Sequence, residues 1–305
     1  MLACRRGSMN DAHCHFFSAA FFEALGSQAR VPGSTPAEDV PRQLGWDPPG
    51  SPETLAARWA EELDRHRVVR AALIASVPGD ADSVARAVAE RPDRFVGFFM
   101  MNPRAADAEA TLDAVLARPG MRSACLFPAM HGYRADGPEV EVVARRLAAE
   151  PGRALFVHCG LLSVGVRTRL GLPNRFDPRA SNPLDLFPVA DRHPDLPIIL
   201  PHFGGGFLHE ALLLASSCPN VHFDTSSSNG WIRTHPGLTL TEVFRRALDV
   251  LGPDRLLFGT DSSFFPRGWQ AEIARTQTGI LRRVLKGDAD RQAVLGGTFD
   301  RLFPR

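Results

Sequence analysis

Lysine is nearly missing from this chain. Of its 35 basic residues only one, Lys286, is a lysine; the rest are arginine. Tyrosine occurs once, at Tyr133, and cysteine five times, at Cys4, Cys14, Cys125, Cys159 and Cys218, with no Cys-x-x-Cys pair. An odd, scattered set of thiols excludes a disulfide framework and points to a reducing cytosol. Net charge is missing too. The 34 acidic residues leave a formal charge of +1, which provides no electrostatic footprint for nucleic acid or an anionic membrane. No apolar run approaches the length of a membrane span. The basic residues near the start are not followed by the apolar stretch of a secretory signal. The expectation is therefore a cytoplasmic protein, with Met9 a candidate start.

What is present is ordinary in bulk and regular in order. The chain has 305 residues, 44% of them hydrophobic, enough for one large α/β barrel. Short apolar runs that read as strands end near residue 16 and then recur at 68–77, 95–101, 121–127, 154–158, 197–202, 221–225 and 255–260. Stretches of helical spacing separate them, at 52–66, 80–90, 105–117, 138–150, 182–193, 207–217, 240–251 and 271–285. The strand runs are apolar throughout rather than alternating, as expected when both faces are buried. About eight such units predict a closed (β/α)8 TIM barrel forming one domain over 1–305. An open doubly wound sheet is the alternative, but no Gly-rich phosphate loop follows the first strand. Two stretches fall outside the pattern. Residues 16–52, an irregular stretch rich in Pro, Gly and Ser with Phe17, Phe21, Phe22 and Trp46, read as a partly ordered active-site flap, and residues 161–181, with Arg167, Arg169, Arg175 and Arg179, as a second long active-site loop.

The chemistry-bearing residues sit where the apolar runs end. In Asp11-Ala-His-Cys-His-Phe16, strand alternation turns His13 and His15 to one side and Cys14 to the other. His158 follows Phe156-Val157, His202 follows Leu200-Pro201, and Asp261 follows Phe258-Gly-Thr. In a barrel the carboxyl ends of all strands share one rim, so these residues converge on one mouth. Neutral imidazoles and a carboxylate suit a divalent, zinc-like ion. Such an ion lowers the pKa of bound water toward ~7.

Together these pieces resemble the metal-dependent amidohydrolase superfamily. They are Asp-Ala-His-Cys-His-Phe, Phe-Val-His-Cys-Gly, Leu-Pro-His-Phe-Gly-Gly-Gly, Asn220-Val-His-Phe-Asp-Thr-Ser and Phe-Gly-Thr-Asp-Ser-Ser-Phe, in that order from about residue 9 onward. The nearest branch is the one holding aminocarboxymuconate semialdehyde decarboxylase, related aromatic-acid decarboxylases and pyrone dicarboxylate lactonases. The resemblance implies a metal held by His13, His15, His158 and Asp261. It implies His202 as an acid/base or substrate-polarising group, and Asp261 as a second proton acceptor. Many members of the superfamily bridge two metals with a carbamylated lysine on the fourth strand. Here Cys125 falls near that place and Lys286 lies in the last long helix, so a single ion is expected. Zinc is the first choice, with manganese and iron(II) as alternatives.

His131, Arg167, Arg169, Asn229, Trp231, Arg267 and Trp269 are expected on rim loops as substrate contacts, the arginines for a carboxylate and the tryptophans as flat walls. Asp224 is expected to hydrogen-bond near the site without touching the metal. Three functions follow. The first is hydrolysis of a small amide, ester or lactone by metal-activated water. The second is non-oxidative decarboxylation of an aromatic or unsaturated acid. The third is a non-catalytic metal-binding barrel. The partner is a small molecule, with monomer and homodimer both open.

Overall fold

The computed structural model describes residues 9–30, 35–227 and 229–305; residues 1–8, with Cys4 and the stretch before Met9, lie outside the described residues. Eight parallel strands pair in sequence order: β1 (Met9–Phe16), β2 (Val68–Ala75), β3 (Phe95–Met101), β4 (Met121–Leu126), β5 (Ala154–Val157), β6 (Ile198–Leu200), β7 (Val221–Asp224) and β8 (Leu256–Leu257). The ring closes beyond β8. Ala12 N donates to Phe258 O at 2.8 Å, Asp261 N to His13 O at 2.9 Å and His15 N to Ser262 O at 2.7 Å. The expected TIM barrel is the observed fold.

Alternate residues of one strand feed two cores. On β3, Val96, Phe98 and Met100 pack inside the barrel, while Phe95, Phe99 and Met101 pack outward against the helices. This is why the strand sequences are apolar at every position. Phe299, Leu302 and Phe303 complete the inner cluster from the C-terminal segment.

The outer ring and its additions comprise α1 (Ala19–Ala29), α2 (Pro36–Gln43), α3 (Pro52–Arg65), α4 (Ala81–Glu90), α5 (Ala108–Leu116), α6 (Pro128–His131), α7 (Pro138–Ala148), α8 (Gly165–Arg169), α9 (Phe187–Arg192), α10 (Leu208–Ser217), α11 (Leu240–Leu251), α12 (Ala271–Val284), α13 (Asp288–Gln292) and α14 (Thr298–Leu302). The arginine bias has a structural use here. Arg94 donates to the carbonyls of Val68 and Val69, and Arg255 to those of Ala215, Val250 and Leu251. One guanidinium satisfies several main-chain carbonyls, which a single ammonium does less well.

Two expectations need correction. The segment 16–52 is not irregular throughout: among its described residues, Ala19–Ala29 form α1 and Pro36–Gln43 form α2. Ser18 Oγ caps α1 by accepting from Phe21 N at 3.1 Å, and Phe21, Phe22 and Leu25 bury together with Val40, Leu44 and Trp46. A Ser cap followed by apolar residues at i+3, i+4 and i+7 was a readable helix signal, hidden by the Pro and Gly around it. The helix expected over 182–193 splits into a 3-10 turn (Pro183–Leu186) and α9, because Pro183 and Pro188 lack the N–H a continuous helix needs. Asp80, at the N-cap of α4, makes no side-chain capping bond there; its Oδ2 accepts from Ser18 Oγ at 2.5 Å and so ties β2's exit to the start of α1.

Candidate metal centre and active-site cavity

His13 and His15 leave β1 just after an extra residue. Asp11 pairs with Ala71 and Cys14 with Leu73, three steps on one strand against two on the other. Such a bulge re-aims side chains beside a site. Cys14 turns into the outer core and both imidazoles reach the barrel mouth. Their orientations are fixed from behind. His13 Nδ1 lies 2.6 Å from Asp224 Oδ2. His15 Nδ1 lies 2.7 Å from Ser76 Oγ, whose own hydrogen goes to Ile74 O at 2.9 Å. Ser76 therefore accepts from His15, and Asp224 accepts from His13. Each ring is left with its Nε2 facing forward, the atom that can bind an ion once it carries no proton.

Those two nitrogens converge with a carboxylate. His13 Nε2 and His15 Nε2 are 3.3 Å apart, and Asp261 Oδ1 lies 3.1 Å from the second and 3.7 Å from the first. Two imidazole nitrogens and a carboxylate oxygen meeting this closely form a donor set that fits the divalent ion implied by the family resemblance. His158 stands on the cavity wall outside this tight group. Its ring lies 5.3 Å from that of His202, and its buried Nδ1 has no hydrogen-bond partner. Burial, with His202 and His13 nearby, pushes the His158 pKa down to about 3, so the ring is neutral, as a ligand must be.

The charges around His13 are strongly coupled. Burial opposes its cation, but the carboxylates of Asp224, Asp261 and Asp11, Asp224 foremost, together outweigh burial and carry the pKa up to about 9. Burial likewise opposes the Asp224 and Asp261 anions, and the imidazoles beside each still hold both below the usual carboxylate range. His202 goes the other way: burial, then His13, keep it neutral.

His202 and Asp261 are presented by unusual backbone. The strand expected over 197–202 stops at Leu200, and His202 and Phe203 both sit at φ 55°, followed by three glycines with positive φ. Asp261 sits at φ 62°. Left-handed residues other than glycine are uncommon and concentrate at functional sites. The turn is held from both sides. A Cβ on Gly205 would lie 2.4 Å from Cys159 O, so the β5 and β6 exits touch backbone to backbone. His202 Nδ1 meets Ser226 Oγ at 2.8 Å, and the same hydroxyl lies 3.1 Å from His13 Nδ1.

The group forms the floor of a cavity of about 720 Å³ whose upper walls are largely apolar. Phe17, Phe21 and Trp46 come from the 16–52 segment, residues 161–166 with Thr168 and Arg169 from the second segment, and Phe264, Arg267 and Gln270 from the β8 exit. The sequence-predicted substrate contacts separate here. Arg267 lines the cavity, with its guanidinium 4.3 Å above the Phe264 ring and 2.6 Å from Ser263 Oγ. Arg169 lines it as well. Arg167 does not: it turns away to Pro173 O and Gln28 Oε1.

Trp269 is corrected from a substrate wall to a buried strut, its Nε1–H donating to Asp11 Oδ2 at 2.7 Å. Trp231 is buried behind Gly206, and neither it nor Asn229 lines the cavity among the described residues. His131 also stands off the cavity, near Tyr133, while its neighbour Met130 lines it. Trp46 lines the cavity from the segment expected to carry an active-site loop, whereas Ser76 and Phe264 are site residues that the sequence reading does not single out. Nothing local distinguishes such residues, because their roles depend on which loop crosses which strand end.

A family model described as Amidohydrolase matches residues 10–305. No curated protein sequence matches the chain. Solved structures of similar fold include a 5-carboxyvanillate decarboxylase from Novosphingobium aromaticivorans, complexed with manganese and 4-hydroxy-3-methoxy-5-nitrobenzoic acid (TM-score 0.66, 14% identity, covering 99% of this chain and 97% of that one). A second is an amidohydrolase from Burkholderia multivorans with bound zinc (0.64, 18%, 97% and 99%). A third is a probable 2-pyrone-4,6-dicarboxylic acid hydrolase from Acinetobacter baumannii with citric acid bound (0.63, 12%, 98% and 100%). At these identities the likeness speaks for the fold alone. Among the described residues, no helix is long and apolar enough to cross a membrane.

Proposed function

This chain belongs to the amidohydrolase family, and on that premise we propose that it is a metal-dependent hydrolase of a small ester, lactone or amide. The observation that carries the proposal is the meeting of His13 Nε2, His15 Nε2 and Asp261 Oδ1 within 3.1–3.7 Å of one another on the cavity floor. These three, with His158, would hold one divalent ion, zinc first and manganese or iron(II) as alternatives. When bound, such an ion polarises a carbonyl oxygen and makes water acidic near neutral pH.

The remaining work belongs to the side chains. Asp224 and Ser76 keep Nδ1–H of His13 and His15 turned backward, so that Nε2 is the ligand atom in each. The Asp261 carboxylate takes a proton from the attacking water at the oxygen not turned toward the imidazoles. His202, held at Nδ1 by Ser226, faces the substrate with Nε2 and stabilises the oxygen on which charge develops. The aromatic upper wall excludes bulk water and accepts a flat, mainly apolar substrate, and Arg267 and Arg169 hold an anionic substituent. The protein is assigned a small-molecule substrate, no nucleic-acid partner and a cytoplasmic setting; Cys14, Cys125, Cys159 and Cys218 are all free thiols.

One observation favours a second reading. Two arginines on the cavity wall suit a carboxylate, which a non-oxidative decarboxylase of an aromatic or unsaturated acid also requires. A panel of lactones, esters, amides and aromatic acids, assayed in ¹⁸O-labelled water with metal-loaded protein, separates the two. Hydrolysis places ¹⁸O in the product carboxylate. Release of CO₂ without ¹⁸O in the organic product replaces the hydrolase reading by the decarboxylase one, and a fully loaded protein inert on the whole panel removes both.

A further inference from the structure

Helix α12 carries two glutamines seven residues apart, Gln270 at its N-cap and Gln277 two turns later, on one helix face. Each uses its amide nitrogen on a pair of main-chain carbonyls at the barrel rim. Gln270 Nε2 donates to Thr260 O and to Asp261 O, both at 2.8 Å. Gln277 Nε2 donates to Thr225 O at 2.8 Å and to Gly259 O at 2.9 Å, and its Oε1 accepts from Thr225 Oγ1 at 2.6 Å. The four carbonyls lie on the β7 and β8 exits, the segments that present Asp224 and Asp261. From the opposite side, Asp11 accepts from Thr260 N at 3.1 Å and from Thr260 Oγ1 at 2.5 Å. The left-handed Asp261 therefore has its own carbonyl held by Gln270, while the residue before it is gripped on both sides.

We propose that Gln270 and Gln277 are positioning residues. They set the spacing of Asp224 and Asp261 on either side of His13, and through it the affinity of the site for its ion. This rests on the reading of His13, His15 and Asp261 as metal-holding groups. Glutamine suits the task because one planar amide nitrogen offers two hydrogens at a fixed angle. Methionine has nearly the same length and offers none. Neither glutamine is needed to fill the barrel interior, and Gln270 is only half-buried.

The test uses Gln270→Met and Gln277→Met in the full chain, stripped with chelator. Three quantities are read: Zn²⁺ affinity by titration calorimetry, the visible spectrum of the Co²⁺-loaded protein, and the thermal midpoint without metal. Loss of partners that orient ligands typically weakens metal binding by about 10–100-fold. That weakening is expected for Gln270→Met, with altered cobalt bands and a metal-free thermal midpoint close to that of the parent. The same Zn²⁺ affinity and cobalt spectrum as the parent would overturn the proposal. So would a drop in affinity with unchanged cobalt bands and an equal drop in metal-free stability, which marks a purely structural role. If Gln277→Met does not fold, Gln270→Met alone decides. A parent chain that takes up no stoichiometric Zn²⁺ overturns the metal reading itself, whereas a parent that binds normally beside an indistinguishable Gln270→Met overturns only the role of the glutamines.

Discussion

Trp46 and Phe264 stack face to face, 3.9 Å apart and 12° from parallel, joining the segment after α2 to the β8 exit. Cations close both ends of the stack, with Arg169 5.4 Å from the Trp46 ring and Arg267 4.3 Å from Phe264. The α1–α2 cap is held across the cavity by this four-member stack together with one main-chain bond, from Asp47 N to Phe265 O at 2.9 Å. An aromatic pair contributes about 0.5–1.5 kcal/mol beyond its area, and each exposed cation–π contact about 0.5–1 kcal/mol. Trp46→Ala should therefore loosen the cap while the barrel stays folded. Proteolysis within residues 19–43 is expected to accelerate roughly tenfold, with Trp46→Phe near the parent rate, since local opening tracks the local free energy. Equal cleavage rates in parent and Trp46→Ala would show that the cap is held elsewhere.

In the proposed metal site, Asp224 would act on the ion through His13. Asp224→Asn keeps the shape but offers an amide where His13 Nδ1–H needs a strong acceptor. A weakening of Zn²⁺ binding by about 10–100-fold is expected, measured by competition with a chromophoric chelator. Unchanged affinity would mean that the 2.6 Å contact does not orient the ring.

The pH dependence follows from the His13 pKa of about 9 in the metal-free protein. The folded-state value is raised above the ordinary 6.5, so the His13 cation stabilises the metal-free fold fully below pH 6.5, and that contribution is lost as pH rises through about 9. Metal-free thermal midpoints should fall across this window, after allowance for His13→Gln measured in parallel. The ion must displace the same proton, so Zn²⁺ affinity should rise over pH 6.5–9 with release of about one proton from His13. Calorimetry in buffers of different ionisation enthalpy reads that proton directly, and none released at pH 7 would refute the coupling.

His202 is assigned to the reaction and not to the ion. His202→Asn should lower kcat by about 10²–10⁴-fold, the usual contribution of a positioned acid/base group. Metal content by atomic emission should stay stoichiometric. A variant that loses the ion along with activity would move His202 into the ligand set.

Gly205 tests the backbone contact beneath His202. With φ 57° and Cys159 O 2.4 Å from where a Cβ would stand, Gly205→Ala combines left-handed strain with a clash against main chain. A loss of about 2–4 kcal/mol in unfolding free energy by urea titration is expected, larger than for a surface glycine such as Gly237, where nothing stands within 4 Å. Equal losses at the two positions would mean that left-handed strain alone accounts for both.

The sequence by itself determined the barrel, its strand order and the floor of the site. Continuous apolar runs at a regular spacing, several of them ending at a His or Asp, are local signals, and barrel closure carries all such ends to one rim. The tertiary structure decided what local signals cannot carry. The bulge before Cys14, the left-handed turns at His202 and Asp261, and the choice of Arg267 and Arg169 over Arg167 depend on how loops cross one another. Trp269 illustrates the difference: its position after β8 suggested a substrate wall, but a buried carboxylate on β1, 258 residues earlier, claims its N–H. A side chain's residue type is written in the chain, whereas its facing is set by the lowest free-energy arrangement of groups that meet only when the ring closes.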